Sequence, residues 1–303
     1  MTEMTAPTQM PYTFDDILKC KDIDDDKLNK DWQNLCKFDA LSNPRKFCGN
    51  PIIYKYQFMN LLNCRRGTKG YKTIQEWFDD PELKQKLWEQ TLKRNRRKCL
   101  YPSPTDVYEC HRINYGAIVP FKSSTAKYVY KKFGATNVLD PTAGWGGRML
   151  GAASLGIKYT GYDTNVNMME AYKKMYEYGD SDKIMKWVDC LKGDFTDEPY
   201  DLVLTSPPYS NMEMYEHMEG WKDDHDFYSN FMMPLMNKLF EETNCPICIN
   251  MSPKMYHTLT SSVSPYGLRE CDEKIDLRQQ LGKQYKTKSQ DYIYIWNQER
   301  HMT

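Results

Sequence analysis

From about residue 123 onward, short apolar β-type runs alternate with helical segments, and this alternation constrains the fold more than any other feature. Helical spacing over 124–133 leads into a β run over 137–140, then a helix over 145–155, a strand over 159–163, a helix over 165–178 and a strand over 184–188. A fourth strand over 200–205, a helix over 227–240, a fifth strand over 246–251 and a late strand over 292–296 continue the pattern. Strands joined through helices pair in parallel, because a parallel neighbour is reached only by a crossover long enough to hold a helix. The spacing therefore predicts an α/β fold with a doubly wound, mostly parallel sheet. Such sheets bind ligands outside the carboxyl ends of their strands, so chemistry is expected from the residues just after each strand.

The first 110 residues read differently. Ile17, Leu18, Ile23, Leu28, Trp32 and Leu35 suit short amphipathic helices, and Thr73-Ile74-Gln75-Glu76 reads as a capping box. Pro81 opens a further helix expected to run to Lys98. Tyr101-Pro102-Ser103-Pro104 breaks that pattern. The expected boundary lies between residues 100 and 115, with a mainly helical region over 1–110 and an α/β domain over 111–303. Overall the 41 basic and 41 acidic residues cancel, but residues 61–100 hold 11 basic and 5 acidic side chains, a balance of +6. A basic block beside a mildly acidic remainder is the outline of a nucleic-acid grip. Arg65 and Arg66 form one cluster of expected phosphate contacts, and Arg94, Arg96 and Arg97 another.

Composition removes several classes. At 40% hydrophobic and 14% aromatic residues the chain is not disordered throughout. No run approaches the ~20 apolar residues of a membrane span. The start, MTEMTAPTQM, has neither the basic nor the apolar part of a signal peptide, so a soluble, intracellular, non-secreted protein is expected. The 10 cysteines are scattered without framework spacing and are expected to be reduced. Cys245-Pro246-Ile247-Cys248 falls in an expected strand and reads as core, His217, His225 and His257 lack ligand spacing, and no metal site is expected.

Two stretches after expected strands carry the chemistry. Asp140-Pro141-Thr142-Ala143-Gly144-Trp145-Gly146-Gly147 packs small residues where backbone closes tightly on a ligand, yet it is neither Gly-x-Gly-x-x-Gly nor a phosphate loop. Asp163 ends the next strand and is placed like an acid that accepts ribose hydroxyls. Thr205-Ser206-Pro207-Pro208-Tyr209 follows a buried strand, and two prolines there cannot extend a sheet. They stiffen a loop that aims the Ser206 hydroxyl, the Pro207 carbonyl and the Tyr209 ring.

Asp-Pro-Thr-Ala-Gly followed 65 residues later by Thr-Ser-Pro-Pro-Tyr resembles the S-adenosylmethionine-dependent DNA amino-methyltransferases, which act on adenine-N6 or cytosine-N4. The likeness covers roughly residues 116–303, in the family's γ-like motif order. It implies a Rossmann-like methyltransferase sheet, S-adenosyl-L-methionine as cofactor, and duplex DNA with a flipped base as partner. It also implies that Phe121 and Lys122 close over the methionine part, that Asp140, Thr142, Ala143, Gly144 and Gly146 line it, and that Asp163 binds the ribose. For the acid that reads the cofactor adenine, Asp189 is favoured over Asp194. Ser206, Pro207, Pro208 and Tyr209 become the catalytic loop, and Ser-Pro-Pro-Tyr leans toward cytosine-N4, with adenine-N6 open. Glu213 and Tyr215 are further candidates for contact with the flipped nucleotide. Two other readings stay open: methylation of an RNA base or a protein glutamine amide, and a catalytically inactive nucleic-acid-binding subunit. The recognition sequence and the oligomeric state are not assigned.

Overall fold

In the computed structural model, which describes residues 7–43, 48–65, 72–95, 101–116, 118–210, 214–215, 220–277 and 292–298, seven strands form one sheet. They are β1 (Asn137–Asp140), β2 (Lys158–Tyr162), β3 (Lys183–Lys186), β4 (Leu202–Thr205), β5 (Ile247–Met251), β6 (Glu273–Asp276) and β7 (Tyr292–Trp296), in the order β3-β2-β1-β4-β5-β7-β6. Strands β1 to β5 pair in parallel, while β7 runs antiparallel between β5 and β6. This is the expected α/β fold with a mostly parallel sheet. The order runs outward from β1 through β2 to β3 on one side and through β4 to β5 on the other. A crevice therefore opens at the carboxyl ends of β1 and β4.

Successive strand residues alternate between two cores, as the period of two demands. Val138, Leu202, Leu204, Cys248, Ile293 and Ile295 enter one core, and Leu139, Val203, Ile247, Ile249, Tyr294 and Trp296 the other. Both faces are covered, so the central strands are apolar on both sides. The first face is packed by α7 (Ser123–Phe133), α8 (Gly147–Ala153) and α9 (Met169–Met175), the second by α10 (Asp224–Phe227), a π turn over Tyr228–Met232, α11 (Met233–Glu242) and α12 (Pro253–Thr260).

The N-terminal region is helical, as read from the sequence: α1 (Phe14–Leu18), α2 (Asp25–Lys37), α3 (Asn50–Leu62), α4 (Ile74–Asp79), α5 (Pro81–Asn95) and α6 (Pro104–Tyr115). Thr73 and Glu76 form the expected reciprocal cap of α4. Its packing crosses the division at residue 110. Leu28, Leu35, Ile52 and Ile53 share a core with Val129, Tyr130, Met149 and Tyr172. The buried Lys127 of α7 also donates to the Leu35 and Cys36 carbonyls at 2.5 and 2.8 Å, closing the C-terminus of α2. A second cluster, built on Ile17, Phe58, Trp77, Trp88, Val107 and Tyr108, holds the remaining helices together.

Four elements differ from the sequence reading. Helix α6 starts at the end of the 101–104 break and fills the region where the boundary was expected, because Ser103 and Asp106 cap it reciprocally and Pro104 suits its first turn. Helix α12 starts at Pro253 with the Ser252 side chain accepting from the Met255 amide, a one-sided cap. Strand β6, Glu-Lys-Ile-Asp, has no apolar alternation to announce it, and it lies at a sheet edge where charged residues are tolerated. The helix expected over 165–178 is shorter, a 3₁₀ turn over Val166–Met168 followed by α9. No described helix is long and apolar enough to cross a membrane.

Candidate active site

The loop after β1 is held from every side. Asp140 is fully buried, and its Oδ2 accepts from Arg148 Nε and the Tyr159 hydroxyl, both at 2.6 Å. Its Oδ1 accepts from the Thr205 hydroxyl at 2.8 Å and from the Thr142 amide at 3.3 Å. Asp140, expected to line the ligand, has its carboxylate engaged by four protein donors. Arg148 also donates to the Thr142 carbonyl, and Tyr172 to the Gly144 carbonyl at 2.7 Å. Gly144 and Gly146 both adopt positive φ, 58° and 83°.

Phe121 meets the same loop. Its ring lies 5.1 Å from the Arg148 guanidinium carbon, and its carbonyl oxygen stands 1.9 Å from where a Cβ on Gly147 would be. Only glycine allows that approach. Lys122 follows, half-buried at the start of α7, and burial pushes its ammonium down to about 8.

Strand β4 delivers the second loop beside the first. The Thr205 hydroxyl lies 2.6 Å from the Thr142 hydroxyl and accepts from the Thr142 amide at 3.1 Å. Ser206 is the next residue, with its Oγ donating to Asn250 Oδ1 at 3.1 Å. Pro207 is buried, while Pro208 and Tyr209 are half-buried. Ser210 takes a positive φ of 49° and donates to Asp224 at 2.8 Å, which closes the turn.

Asp163 ends β2. One carboxylate oxygen accepts from the Gly144 amide at 2.8 Å and the other from the Asn165 amide at 2.9 Å. The residue keeps some surface open to solvent, but its carboxyl is pushed up to about 6, chiefly by burial; the two amide bonds oppose that rise and the charge of Asp140 adds to it. Of the two further acids, Asp189 lies half-buried beyond the carboxyl end of β3, with one oxygen on the Leu191 amide at 3.0 Å. Asp194 is exposed and turned onto Thr196.

Of the five arginines, Arg65 and Arg94 are among the described residues. Arg65 pairs with Glu76 at 2.9 Å, and its backbone exchanges two hydrogen bonds with Met214. Tyr215, next to Met214, packs edge-on against Trp145 of the glycine loop at 5.8 Å, so this part of the N-terminal region reaches the crevice. Arg94 is half-buried with Nη1 enclosed and unpartnered. Arg66, Arg96, Arg97, Glu213 and His217 lie outside the described residues. His225 and His257 are exposed, Cys245 and Cys248 are core, and no described group of three or more His, Cys, Asp or Glu is placed to hold a metal ion.

Sequence reasoning missed Arg148, Tyr159 and Asn250. Two left a signal: Arg148 as a charge in the glycine- and alanine-rich segment 147–153, and Asn250 as an amide inside Ile-Cys-Ile-Asn-Met.

No protein-family model matches the chain, and no curated protein matches its sequence. Among solved structures it is similar to an RNA methyltransferase from Salinibacter ruber in complex with S-adenosyl-L-homocysteine, at 15% identity over 61% of this chain and 97% of that one, TM-score 0.39. It is also similar to the tRNA (uracil-54, C5)-methyltransferase of Pyrococcus abyssi, at 15% identity over 56% of this chain and 36% of that one, TM-score 0.39. A third is the N-methyltransferase NodS of Bradyrhizobium japonicum, at 12% identity over 56% and 90%, TM-score 0.36. At these identities and scores the likeness carries no argument about function.

Proposed function

We propose that the chain transfers a methyl group from S-adenosyl-L-methionine to the exocyclic amine of a base flipped out of duplex DNA, cytosine-N4 ahead of adenine-N6. One observation carries this reading. Thr205 and Thr142 lock the small-residue loop and the Ser206-Pro207-Pro208-Tyr209 loop side by side where the strand order reverses. A cradle and a rigid loop bearing hydrogen-bond acceptors thus share one crevice.

The residues suit the cofactor. Ala143, Gly144 and Gly146 let backbone approach its methionine end, and the Lys122 ammonium suits a carboxylate there. Asp163 has acceptor capacity beyond its two amide bonds for a pair of ribose hydroxyls. Val166 and Val188, 46% and 39% exposed, lie beyond the carboxyl ends of the neighbouring strands β2 and β3, where a flat ring can rest near Asp189. When bound, S-adenosylmethionine supplies an electrophilic methyl on a sulfonium. Everything else falls to the chain. An exocyclic amine is a poor nucleophile because its lone pair is delocalised into the ring. Ser206 Oγ and the Pro207 carbonyl accept its two N–H groups, bend the nitrogen toward tetrahedral geometry and free the lone pair. Fixing that orientation is the main contribution, on the order of 7–11 kcal/mol in favourable cases. Flipping the base costs a few kcal/mol, and stacking on Tyr209 returns about 1–3 kcal/mol. The basic block at 61–100, tied to the crevice through Arg65 and Met214, supports nucleic acid as the partner.

The test is transfer from labelled cofactor to DNA and RNA, followed by mass spectrometry of the nucleosides. Label on N4 of cytosine or N6 of adenine in DNA is expected; label on a ring carbon, a ribose or protein overturns the reading. Ser206→Ala is expected to lower kcat roughly 10²-fold, the scale of losing one oriented polar contact in a transition state, with cofactor affinity unchanged.

Asp163 gives a pH test. Its folded value near 6 stands above the ordinary 3.8, so in the free protein the folded state holds this proton more tightly than the unfolded chain. Its contribution to stability is present at low pH and is lost as pH rises through about 4 to 6. A ligand donating two hydroxyls prefers the ionised form, so cofactor affinity should rise through the same region and level off above it. Asp163→Asn should weaken binding by about tenfold or more and flatten that dependence. Equal affinity in the variant would remove Asp163 from the site.

A further inference from the structure

Ser206 is not free to turn its hydroxyl. Its Oγ donates to Asn250 Oδ1 at 3.1 Å, and Asn250 Nδ2 donates to the Tyr292 carbonyl at 3.1 Å. A backbone carbonyl can only accept, so one amide orientation satisfies both contacts: NH2 toward Tyr292, oxygen toward Ser206. Asn250 is 7% exposed in β5, between Ile249 and Met251 and beside the paired strand β7. An unpaired amide there has little water to fall back on. Tyr292 therefore sets Asn250, and Asn250 draws the one hydrogen of Ser206. What Ser206 retains for a substrate is lone pairs.

We propose that Asn250 is a positioning residue that makes Ser206 an obligate hydrogen-bond acceptor and so selects a base carrying an amino group over one carrying a keto oxygen at the same ring position. The inference rests on the reading of Ser206 given above and deepens it. An exocyclic amine presents N–H to those lone pairs. A keto oxygen meets them with lone pairs of its own, and neither group has a hydrogen to offer. A serine without this tether would rotate and donate to the keto oxygen, so the pocket would no longer tell cytosine from thymine or uracil. Asparagine does this better than serine or aspartate at the same place, because its two ends differ in polarity and the Tyr292 carbonyl distinguishes them.

A double-mutant cycle on the full chain tests it, using labelled cofactor and whichever nucleic acid the wild type methylates. Asn250→Leu is expected to lower kcat about tenfold or more with cofactor affinity unchanged, and to add less than about twofold in a Ser206→Ala background, because both changes remove one function. Multiplying effects, or an unchanged kcat in Asn250→Leu, overturn the proposal. If Asn250→Leu does not fold, Asn250→Asp decides. A protonated carboxyl donates to Tyr292 and accepts from Ser206, so this variant should approach wild-type turnover at low pH and lose it as the acid ionises. A pH profile matching the wild type overturns the proposal. A wild type that methylates neither DNA nor RNA overturns the reading of Ser206 and this inference together. An active wild type with multiplying variants overturns this inference alone.

Discussion

Asp140→Ala is expected to lower stability by about 3–5 kcal/mol, the scale for removing one member of a buried ion pair. The Arg148 side chain is only 4% exposed and pairs with Asp140 at 2.6 Å, so the variant leaves an uncompensated charge in the core. The hydroxyls of Tyr159 and Thr205 lose their acceptor at the same time. Thermal unfolding should move down by roughly 2–4 °C for each kcal/mol lost. Asp140→Leu combined with Arg148→Met removes both charges and should recover much of the loss, because paired removal leaves no orphan. Cofactor binding should stay impaired in that double variant, since Thr142 and Thr205 have lost the carboxylate that joins them. A single variant as stable as the wild type would show that Asp140 does not hold this network.

Gly147→Ala should weaken cofactor binding strongly while leaving the sheet folded. The added Cβ would lie 1.9 Å from the Phe121 carbonyl oxygen and 3.0 Å from its carbon, so backbone just before α7 must shift. Overpacking of this kind costs about 1–3 kcal/mol, and it falls on the contact between the glycine loop and the Phe121–Lys122 segment. Affinity measured by calorimetry should drop more than tenfold, a difference above about 1.4 kcal/mol. Gly134→Ala is the control. That position has positive φ but nothing within 4 Å of the added atom, so only backbone strain of about 1–2 kcal/mol is expected, with normal binding. Normal binding in Gly147→Ala would separate Phe121 from the site.

Much of this was legible in the residues because it is local. Period-two apolar runs and helix spacing are set by covalent geometry, and they marked β1, β2, β4, β5 and β7 close to their observed limits. Two prolines after a strand and a cluster of small residues after another announced loops that backbone sterics dictate. Capping boxes were legible at Thr73, yet the equivalent box at Ser103 was passed over because the surrounding prolines read as a break.

Tertiary structure decided what those loops do. Nothing in the order of residues says that Asp140, Arg148, Tyr159 and Thr205 meet, since each contact depends on which strands become neighbours. The same holds for Asn250, whose partners Ser206 and Tyr292 lie 44 and 42 residues away along the chain. Asp140 shows the consequence. By its place in the Asp-Pro-Thr-Ala-Gly motif it was expected to line the ligand. Burial forbids a lone charge, and the fold surrounds this carboxylate with four donors. The sequence by itself determined the sheet apart from β6, and the two loops, because their signals are steric and short-range. Which polar groups remain available for chemistry was decided only by the packing, because a hydrogen bond is spent on whatever the fold places within reach.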